Sequence, residues 1–250
     1  MESVALRPRK ATEIVDAAIE VYRRNPIHFL LLAVIVRVPW LIVQIVLIGG
    51  RENDAEAFMT SVMIGAGGLV SYFLTAGLVV HMASELYLGR ETDSFETIRS
   101  VWPRTLHVFV ASILQTVAVF IGLLLLLFPA IWITSLIFAV IPAIVIERKG
   151  VAEAFSRSSQ LSVGMKGHVL SALGLVVLIR VIVELGSGII ALLIPMLELR
   201  YVVLAVAAML IYPLFGIAEA LIYYDVRIRK EGFDIEMMAQ QPAPPAPAAV

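Results

Sequence analysis

Six apolar stretches, each close to or above the length that an α-helix needs to cross a bilayer, dominate this sequence. They cover residues 27–48, 58–82, 106–128, 130–146, 168–193 and 201–224. A helix rises 1.5 Å per residue, so about 20 apolar residues span the hydrocarbon core of a membrane. Hydrophobic residues make up 60% of the chain and charged residues 16%, proportions typical of membrane proteins. The sequence therefore predicts an all-α fold, an integral membrane six-helix bundle over residues 27–239.

The third and fourth stretches meet at Phe128, Pro129 and Ala130 without a polar linker. Together they are too long for one crossing, and proline suits the first turn of a helix. We therefore expect a tight hairpin here, with the fourth helix beginning near Pro129.

Lysines and arginines in the connections predict the orientation. Fifteen lie in the N-terminal segment, the second and fourth connections and the C-terminal segment, whereas only Arg51 and Arg200 lie on the opposite side. Because basic residues accumulate on the cytoplasmic side of membrane proteins, both termini are expected to be cytoplasmic.

Three of the cytoplasmic segments have apolar residues at helical spacing. One lies within residues 1–26 and begins at Thr12, one follows a capping pattern of Asp93 and Glu96, and one follows Gly150. Each is predicted to be an amphipathic helix that lies at the inner membrane interface. The alternative is that these helices pack on one another as an ordinary cytosolic core.

A weak internal repeat accompanies these helices. Three times the chain runs from a basic amphipathic helix through a histidine into a pair of spans, and the histidines are His28, His107 and His168. This pattern predicts three helical hairpins arranged as parallel repeats.

After the last span the chain becomes strongly charged. Tyr223 and Tyr224 are predicted to be the aromatic, interfacial end of this span, and Gly232 to end the helix with a left-handed cap. Charged residues four positions apart can pair on the helix surface, as Asp225 with Arg229 and Arg227 with Glu231. Residues 240–250, rich in proline and alanine, are predicted to be a disordered tail.

Three segments resemble the membrane-domain family of the glycerophosphoryl diester phosphodiesterases. They are RKATEIVDAAIEVYRRNPIHFLLLA, VIERKGVAEAFSRSSQLSVGMKGHV and LIYYDVRIRKEGFDIEMMA. The resemblance implies a six-helix membrane domain of a prokaryotic plasma membrane, whose molecular role is largely undefined. Some members are fused to a catalytic barrel, which would need well over 200 further residues, so the resemblance implies no phosphodiesterase activity for this chain.

Four charged residues interrupt the spans, namely Arg37, Arg180, Glu184 and Glu219. Charges within a bilayer usually face the bundle interior and pair. By depth, Arg37 and Glu219 could meet between helices, and Arg180 and Glu184 are four apart on one helix. One interpretation is a polar path for an ion, proton or lipid headgroup; the other is structural pairing, or a Glu184 that reaches the outer interface.

Prolines and small residues also fall within the spans. Pro39, Pro142 and Pro213 are predicted to kink the first, fourth and sixth spans. Glycine-rich patches at residues 65–68 and 186–188 predict close helix packing. A use of these breaks as hinges or ligand sites is the alternative.

Catalytic and cofactor chemistry finds little support. The chain has no cysteine and no phosphate-binding glycine loop, zinc-binding helix motif, nucleophile elbow or dinucleotide fingerprint. His81, Glu85 and the three repeated histidines could form a metal cluster, but four histidines at helix ends are more commonly polar residues tolerated at the interface. We therefore expect no catalytic residue, no cofactor and no metal.

The sequence thus favours a non-catalytic structural or accessory protein at the inner leaflet. Its expected partners are membrane lipids, and other membrane proteins as a further class. Nucleic acid is not expected, because the net charge is -1. The alternative is a transporter or flippase-like conduit that uses the four intramembrane charges.

The predicted orientation can be checked with a fused reporter. A phosphatase that is active only outside the cytoplasm, attached after Gln241, is expected to stay inactive because six crossings return the chain to its starting side. The same reporter fused in the first external connection should be active. Strong activity at Gln241 would contradict the orientation.

Overall fold

The computed structural model describes residues 7–49 and 54–240. Within these ranges the chain forms helices and no β-strand. The predicted external Arg51 and almost all of the predicted disordered tail lie outside the described residues. The helices are α1 (Ala11–Arg24), α2 (Pro26–Gly49), α3 (Asp54–Tyr87), α4 (Ser94–Val101), α5 (Thr105–Leu125), α6 (Leu127–Ile137), α7 (Val140–Val145), α8 (Val151–Ser162), α9 (Lys166–Leu192), α10 (Leu197–Glu231) and α11 (Phe233–Gln240).

Six of these helical segments are long and apolar enough to cross a membrane, which confirms the predicted six-span bundle. Their bounds are Pro26–Ile48, Ala57–Tyr87, Ser94–Leu125, Leu127–Val145, Lys166–Leu192 and Leu197–Glu231. Large apolar side chains such as Val46, Leu124 and Ile182 are exposed on the outer faces of the spans. In a bilayer these faces contact lipid, and each helix satisfies its own backbone hydrogen bonds.

The predicted hairpin between the third and fourth spans is present. α5 ends at Leu125, Leu126 is extended, and α6 begins at Leu127 with Pro129 in its first turn. A Cβ atom added to Gly122 would lie 2.9 Å from the Cα atom of Ala130. The absence of a side chain at Gly122 therefore allows the two helices to approach closely just before the turn.

The fourth span is broken at Phe138 and Ala139, between α6 and α7. The break lies four residues before Pro142, whose missing N–H cannot bond the carbonyl of Phe138. The Ser158 hydroxyl accepts a hydrogen bond from the Ala139 N–H at 3.0 Å and donates to the Leu136 carbonyl at 2.7 Å. Gln115 donates to the neighbouring Ile137 carbonyl at 2.8 Å. Neighbouring helices thus satisfy the backbone that the break exposes.

The other two prolines lie inside continuous helices. Pro39 is part of α2 and Pro213 is part of α10, and neither divides its helix into two elements.

Helix α10 is the centre of the bundle at one end. It packs against α1, α2, α3 and α9, and most residues from Ile217 to Val226 are almost fully buried.

We call one end of the bundle the basic end. It consists of α1, α4, α8, α11 and the last turns of α10. Lys230 links two of these elements, because its ammonium donates to the carbonyls of Gln160 and Val163 at the end of α8. Gly232 ends α10 with a left-handed cap, φ 65° and ψ 37°, as predicted.

The three helices predicted to be amphipathic, α1, α4 and α8, turn at least part of their apolar faces onto the protein. Ile14 and Ala18 of α1 and Ala154 of α8 are fully buried in the common core. On α4, by contrast, Phe95 and the adjoining Trp102 are exposed. The apolar faces of α1 and α8 are therefore largely covered by the bundle, whereas much of that of α4 is exposed. The location of the three helices at a membrane surface stays a prediction.

Two of these three helices begin where the sequence predicts. The Asp93 carboxylate caps α4 by accepting the Glu96 N–H at 2.7 Å, and α8 starts directly after Gly150. The expected cap at Thr12 is wrong: α1 begins at Ala11, and Lys10 occupies the cap position. There Glu13 accepts the Lys10 N–H at 2.8 Å, which gives this helix start its hydrogen bond.

The glycine patches have mixed outcomes, and the predicted three-hairpin repeat stays a prediction. Gly67 lies directly against the Trp40 ring of α2, so close packing is confirmed at this position. Added Cβ atoms at Gly65, Gly68, Gly186 and Gly188 would have no neighbour within 4 Å, so the expectation is wrong there.

Gly216 is a better test of helix packing. A Cβ atom at Gly216 would lie 2.7 Å from Cγ1 of Val79, a fully buried residue of α3. We expect Gly216→Ala to lower the free energy of unfolding by about 1–3 kcal/mol through overpacking. Thermal unfolding in detergent, followed by tryptophan fluorescence, measures the effect.

The matched control is Gly174→Ala in α9, where the added Cβ would have no neighbour within 4 Å. Its melting temperature should be unchanged or higher, because alanine favours a helix more than glycine does. Equal stability of both variants would contradict the close contact of α3 and α10.

Candidate functional site

Asp225 is the centre of the polar contacts at the basic end. Its side chain is 1% exposed. Oδ2 lies 2.7 Å from His168 Nε2 of α9 and accepts a hydrogen bond from Arg229 Nε at 2.8 Å. Oδ1 accepts the main-chain N–H of Arg9 at 2.6 Å. The predicted pair of Asp225 and Arg229 is confirmed, and the carboxylate also holds two further parts of the chain.

The N-terminal segment is held on both sides of the same residue. Arg229 donates through Nη2 to the Arg9 carbonyl at 2.6 Å. The main chain of Arg9 therefore donates one hydrogen bond to the Asp225 side chain and accepts one from the Arg229 side chain. This arrangement fixes the entry into α1 against the last turns of α10.

A second polar cluster lies beside the first. Arg157 of α8 donates from Nε to both carboxylate oxygens of Glu147, at 2.9 and 3.0 Å, and from Nη2 to Glu231 at 2.8 Å. The Tyr223 hydroxyl donates to Glu147 as well. Arg227 donates to Glu231 at 2.9 Å, which confirms the second predicted pair on α10. The cluster joins α8, α10 and the segment after α7.

The contacts within this cluster shift the pKa values of Glu147 and Arg157, two members that lie outside the spans. Burial alone would raise the pKa of Glu147, but hydrogen bonds from Arg157 and Tyr223 bring it below its ordinary value of 4.5. The hydrogen bond with Glu231 is the main reason that the pKa of Arg157 is raised. Because the pKa of Glu147 is lowered on folding, its stabilising effect is present above about pH 4.5 and is lost as the pH falls through the folded-state pKa.

The two adjacent tyrosines are not interfacial residues, which corrects the prediction. Tyr223 is 0% and Tyr224 is 1% exposed. The Tyr224 hydroxyl is 2.6 Å from the Ser84 hydroxyl, and its ring stacks on Tyr87. The surrounding helices α1 and α3 cover this part of α10, so both rings lie in the protein core.

The expected pair of Arg180 and Glu184 is confirmed. Arg180 Nε donates to Glu184 at 2.8 Å. The Arg180 guanidinium also lies 5.3 Å from the ring centroid of Tyr72 and 5.1 Å from that of Tyr212. Cation–π contacts of this kind help to hold a charge within an apolar region.

The expected pair of Arg37 and Glu219 is wrong. Among the described residues, neither forms an ion pair with the other, and the Arg37 guanidinium lies 5.2 Å from the Tyr212 ring centroid instead. Tyr212 precedes Glu219 by seven residues, roughly 10 Å along the helix. The packing of α2 on α10 therefore places Arg37 two turns away from Glu219.

Glu219 instead lines a cavity of about 470 Å³ between the spans. We call it the intramembrane cavity. Glu219 is 8% exposed and is the one member of the four predicted intramembrane charges that lines it. The other lining residues are Tyr72, Phe73, Ala76, Ser112, Gln115, Thr116, Val119, Phe120, Leu123, Thr134, Ile137, Phe138, Ile141, Leu173 and Phe215.

A second cavity, of about 340 Å³, lies at the basic end, and we call it the basic-end cavity. Its lining is rich in charged and polar side chains from α3, α10, α11 and the segment after α7. They are His81, Ser84, Glu85, Arg90, Arg148, Arg227 and Glu236, together with Tyr224 and five apolar residues.

Two side chains of the basic-end cavity have polar groups without a hydrogen-bond or ion-pair partner among the described residues. Arg148 is exposed and forms no ion pair or hydrogen bond with another described residue, and its φ is 59°. Nδ1 of His81 is buried, and no partner for it exists in the described part of the chain. By contrast, Arg90 pairs with Glu85 at 3.3 Å, and Arg227 pairs with Glu231.

The repeated histidines do not gather into a metal site. Within residues 7–49 and 54–240, no group of three or more potential ligands is placed to hold a metal ion. Of the repeated histidines, only His168 has a carboxylate partner, Asp225, in this part of the chain.

Sequence reasoning missed the long-range partners of the charged residues. Glu147, Arg157, His168 and Arg148 all occur in one of the three segments that carried the family resemblance, and Asp225 and Arg227 in another. This shared membership was the one signal that could have linked them. Spacing along a helix reveals only partners within the same helix.

Removal of the Asp225 charge tests the importance of the basic-end contacts. We expect Asp225→Asn to lower the free energy of unfolding by about 3 kcal/mol, because it leaves Arg229 without its buried counter-charge and His168 without its carboxylate partner. Thermal unfolding in detergent measures the loss. Asp16→Asn, an exposed position on α1, should change stability by no more than about 0.5 kcal/mol. Similar melting of both variants would show that Asp225 is not essential.

No protein-family model, curated protein or solved structure matches this chain. The resemblance to the phosphodiesterase membrane-domain family therefore stays a prediction. The six apolar helices do identify the class of protein: this chain is a helical, multi-pass membrane protein.

Proposed function

We propose that this chain is a non-catalytic, accessory component of a prokaryotic plasma membrane that binds the phosphate of a phospholipid headgroup at the inner leaflet. The observation that carries the proposal is Arg148, an arginine without an ion-pair partner among the described residues, which lines the basic-end cavity with a left-handed backbone.

The backbone of Arg148 is informative because a left-handed conformation costs a residue with a Cβ atom about 1–2 kcal/mol. Such conformations concentrate at functional sites, where the side chain is needed in a particular place. The planar guanidinium can bind two phosphate oxygens at once. A phosphate at this position would give Arg148 the counter-charge that the protein itself does not supply.

Other lining residues suit the same ligand. His81 offers a buried ring nitrogen without a partner, and Arg90 and Arg227 add positive charge, partly balanced by Glu85 and Glu236. A lining with both signs fits a headgroup that carries a phosphate together with an amine or hydroxyl groups. The basic residues favour the phosphate, and the carboxylates favour the neighbouring groups.

The proposed location follows from the distribution of charge. Most lysines and arginines belong to the connections at the basic end, and such residues accumulate on the cytoplasmic side. Anionic lipids of that leaflet attract each basic residue near the surface by about 1 kcal/mol. We therefore place both termini and the basic-end cavity on the cytoplasmic side.

The proposal extends to kinship with the phosphodiesterase membrane-domain family. The segments that carry the resemblance supply much of the polar structure at the basic end. They contribute Glu147, Arg148, Arg157, His168, Tyr223, Asp225 and Arg227. Such a concentration supports the idea that the motifs of this family build a headgroup site.

The alternative, a transporter or flippase-like conduit, has one observation in its favour. Glu219 lines a cavity that lies among the spans. Arg37, Arg180 and Glu184 do not line this cavity, and its walls are mainly apolar. A path that joins all four charges therefore lacks support, and we prefer the binding role.

Substitution of Arg148 tests the proposed role. We expect Arg148→Gly to weaken binding of dihexanoyl phosphatidylglycerol about tenfold, because one charge-assisted contact is lost. Its melting temperature should not fall, since glycine tolerates the left-handed backbone. Isothermal titration of the purified full-length protein in a neutral maltoside detergent measures the affinity.

The matched control is Arg99→Ala, which removes an exposed arginine of α4 outside the cavity. This variant should bind the lipid as the wild type does. Equal binding by Arg148→Gly and the wild type would contradict the site. Inorganic phosphate, titrated in parallel, should bind more weakly than the lipid; equal affinities would indicate a free phosphate ester as the ligand and contradict the lipid role.

A further inference from the structure

We propose that the intramembrane cavity binds a monovalent organic cation with a hydrophobic body, and that the Glu219 carboxylate is its counter-ion. The proposal is independent of the headgroup site, because the linings of the two cavities share no residue.

Glu219 is an isolated, buried carboxylate among the spans. Its residue surface is 8% exposed, and it forms no hydrogen bond or ion pair with another described residue. Buried charges within a membrane are costly and normally have a partner. A partner from outside the chain resolves this, because the carboxylate faces a cavity rather than packed side chains.

Neither of the two arginines within the spans forms an ion pair with Glu219. Arg180 pairs with Glu184 at 2.8 Å, and Arg37 lies against the ring of Tyr212. Neither lines the intramembrane cavity. The cavity therefore contains a carboxylate and no basic side chain, and this combination selects for positive charge.

The donor groups of three polar side chains that line the same cavity are largely occupied. The hydroxyls of Thr116 and Thr134 each donate to a carbonyl of their own helix, at 2.8 and 2.9 Å. The Gln115 amide donates to the Ile137 carbonyl. The two hydroxyl donors and one of the two amide N–H donors are therefore engaged, while the oxygen lone pairs of the same side chains remain for a ligand. Acceptors suit a cation and disfavour an anion.

The walls of the intramembrane cavity are mainly aromatic and aliphatic. Five aromatic rings line the cavity, and the faces of aromatic rings attract ammonium and related cations. Arg180 already lies over two of them, Tyr72 and Phe215, so the other three rings remain for a ligand. Aliphatic side chains make up much of the remaining wall and would contact the hydrophobic body of the ligand. The aromatic residues are Tyr72, Phe73, Phe120, Phe138 and Phe215.

The size and opening of the cavity agree with such a ligand. A volume of about 470 Å³ lies within the range of small-molecule sites, about 300–1,000 Å³. Phe120 and Leu123 line the cavity and are 59% and 55% exposed on the outer surface of α5. The cavity thus opens toward the surface that lipid covers, so an amphiphile can enter from the membrane.

Binding of tetraphenylphosphonium tests the proposal. The full-length protein is placed in nanodiscs of phosphatidylcholine, which has no net charge, and retention of the cation is measured by equilibrium dialysis against empty nanodiscs. We expect saturable binding by the wild type and at least about tenfold weaker binding by Glu219→Gln, because the charge pairing is lost. Triphenylphosphine oxide, an uncharged relative, should bind much more weakly than the cation.

Two further variants separate the site from general effects. Glu198→Gln removes an exposed acid from the first turn of the same helix and should bind as the wild type does. Val119→Trp keeps Glu219 but fills part of the cavity, so it should lose binding and provides a second test if Glu219→Gln fails to fold. The melting temperature of each variant establishes folding.

Three results would overturn the proposal. They are undiminished binding by folded Glu219→Gln or Val119→Trp, no retention by the wild type above empty nanodiscs, and equal retention of the cation and triphenylphosphine oxide. If Glu219→Gln loses cation binding but still binds phosphatidylglycerol, the result supports the intramembrane site. The headgroup proposal is tested separately by Arg148→Gly.

Discussion

The basic end depends on the buried carboxylate of Asp225. A buried charge destabilises a protein unless it is paired and hydrogen-bonded, and this carboxylate obtains partners from the segment before α1, from α9 and from α10. The contacts of one side chain therefore join the segment before α1 to α9 and to the end of the last span. The cluster around Glu147 and Arg157 extends the same principle to α8.

The two cavities differ in the chemistry that they present. The basic-end cavity offers donors and positive charge, through Arg148 and its neighbours, at the end of the spans. The intramembrane cavity offers acceptors, aromatic faces and one negative charge among the spans. A protein with both features can hold ligands of opposite charge at two depths. The polar side chains of the basic end are densely connected, whereas the fifth span is only 11% buried over its most apolar window, which leaves most of its surface for lipid.

Much of the architecture could be predicted, because it depends on local patterns. Apolar length indicates the six spans, Asp93 and Gly232 indicate helix ends, and the spacing of four residues indicates the pairs on α9 and α10. The site could not be predicted in the same way. The partners of Asp225 and Glu147 depend on how helices pack, and a depth count for Arg37 and Glu219 could not reveal that Tyr212 lies beside Arg37 instead. Tyrosine is a residue type common at membrane interfaces, but the bundle buries Tyr223 and Tyr224.

The contact between Arg9 and Asp225 joins residues that are 216 positions apart. A ribosome adds roughly 5–20 residues per second, so the beginning of the chain emerges at least about ten seconds before its partner is made. Throughout this interval the apolar face of α1, with Ile14 and Ala18, has no completed surface to cover it. The last span must be inserted before the first helix can take its final place. Assembly of the basic end is therefore a post-insertion event, and exposed α1 is the part of the nascent chain that a chaperone or the membrane surface would have to shield.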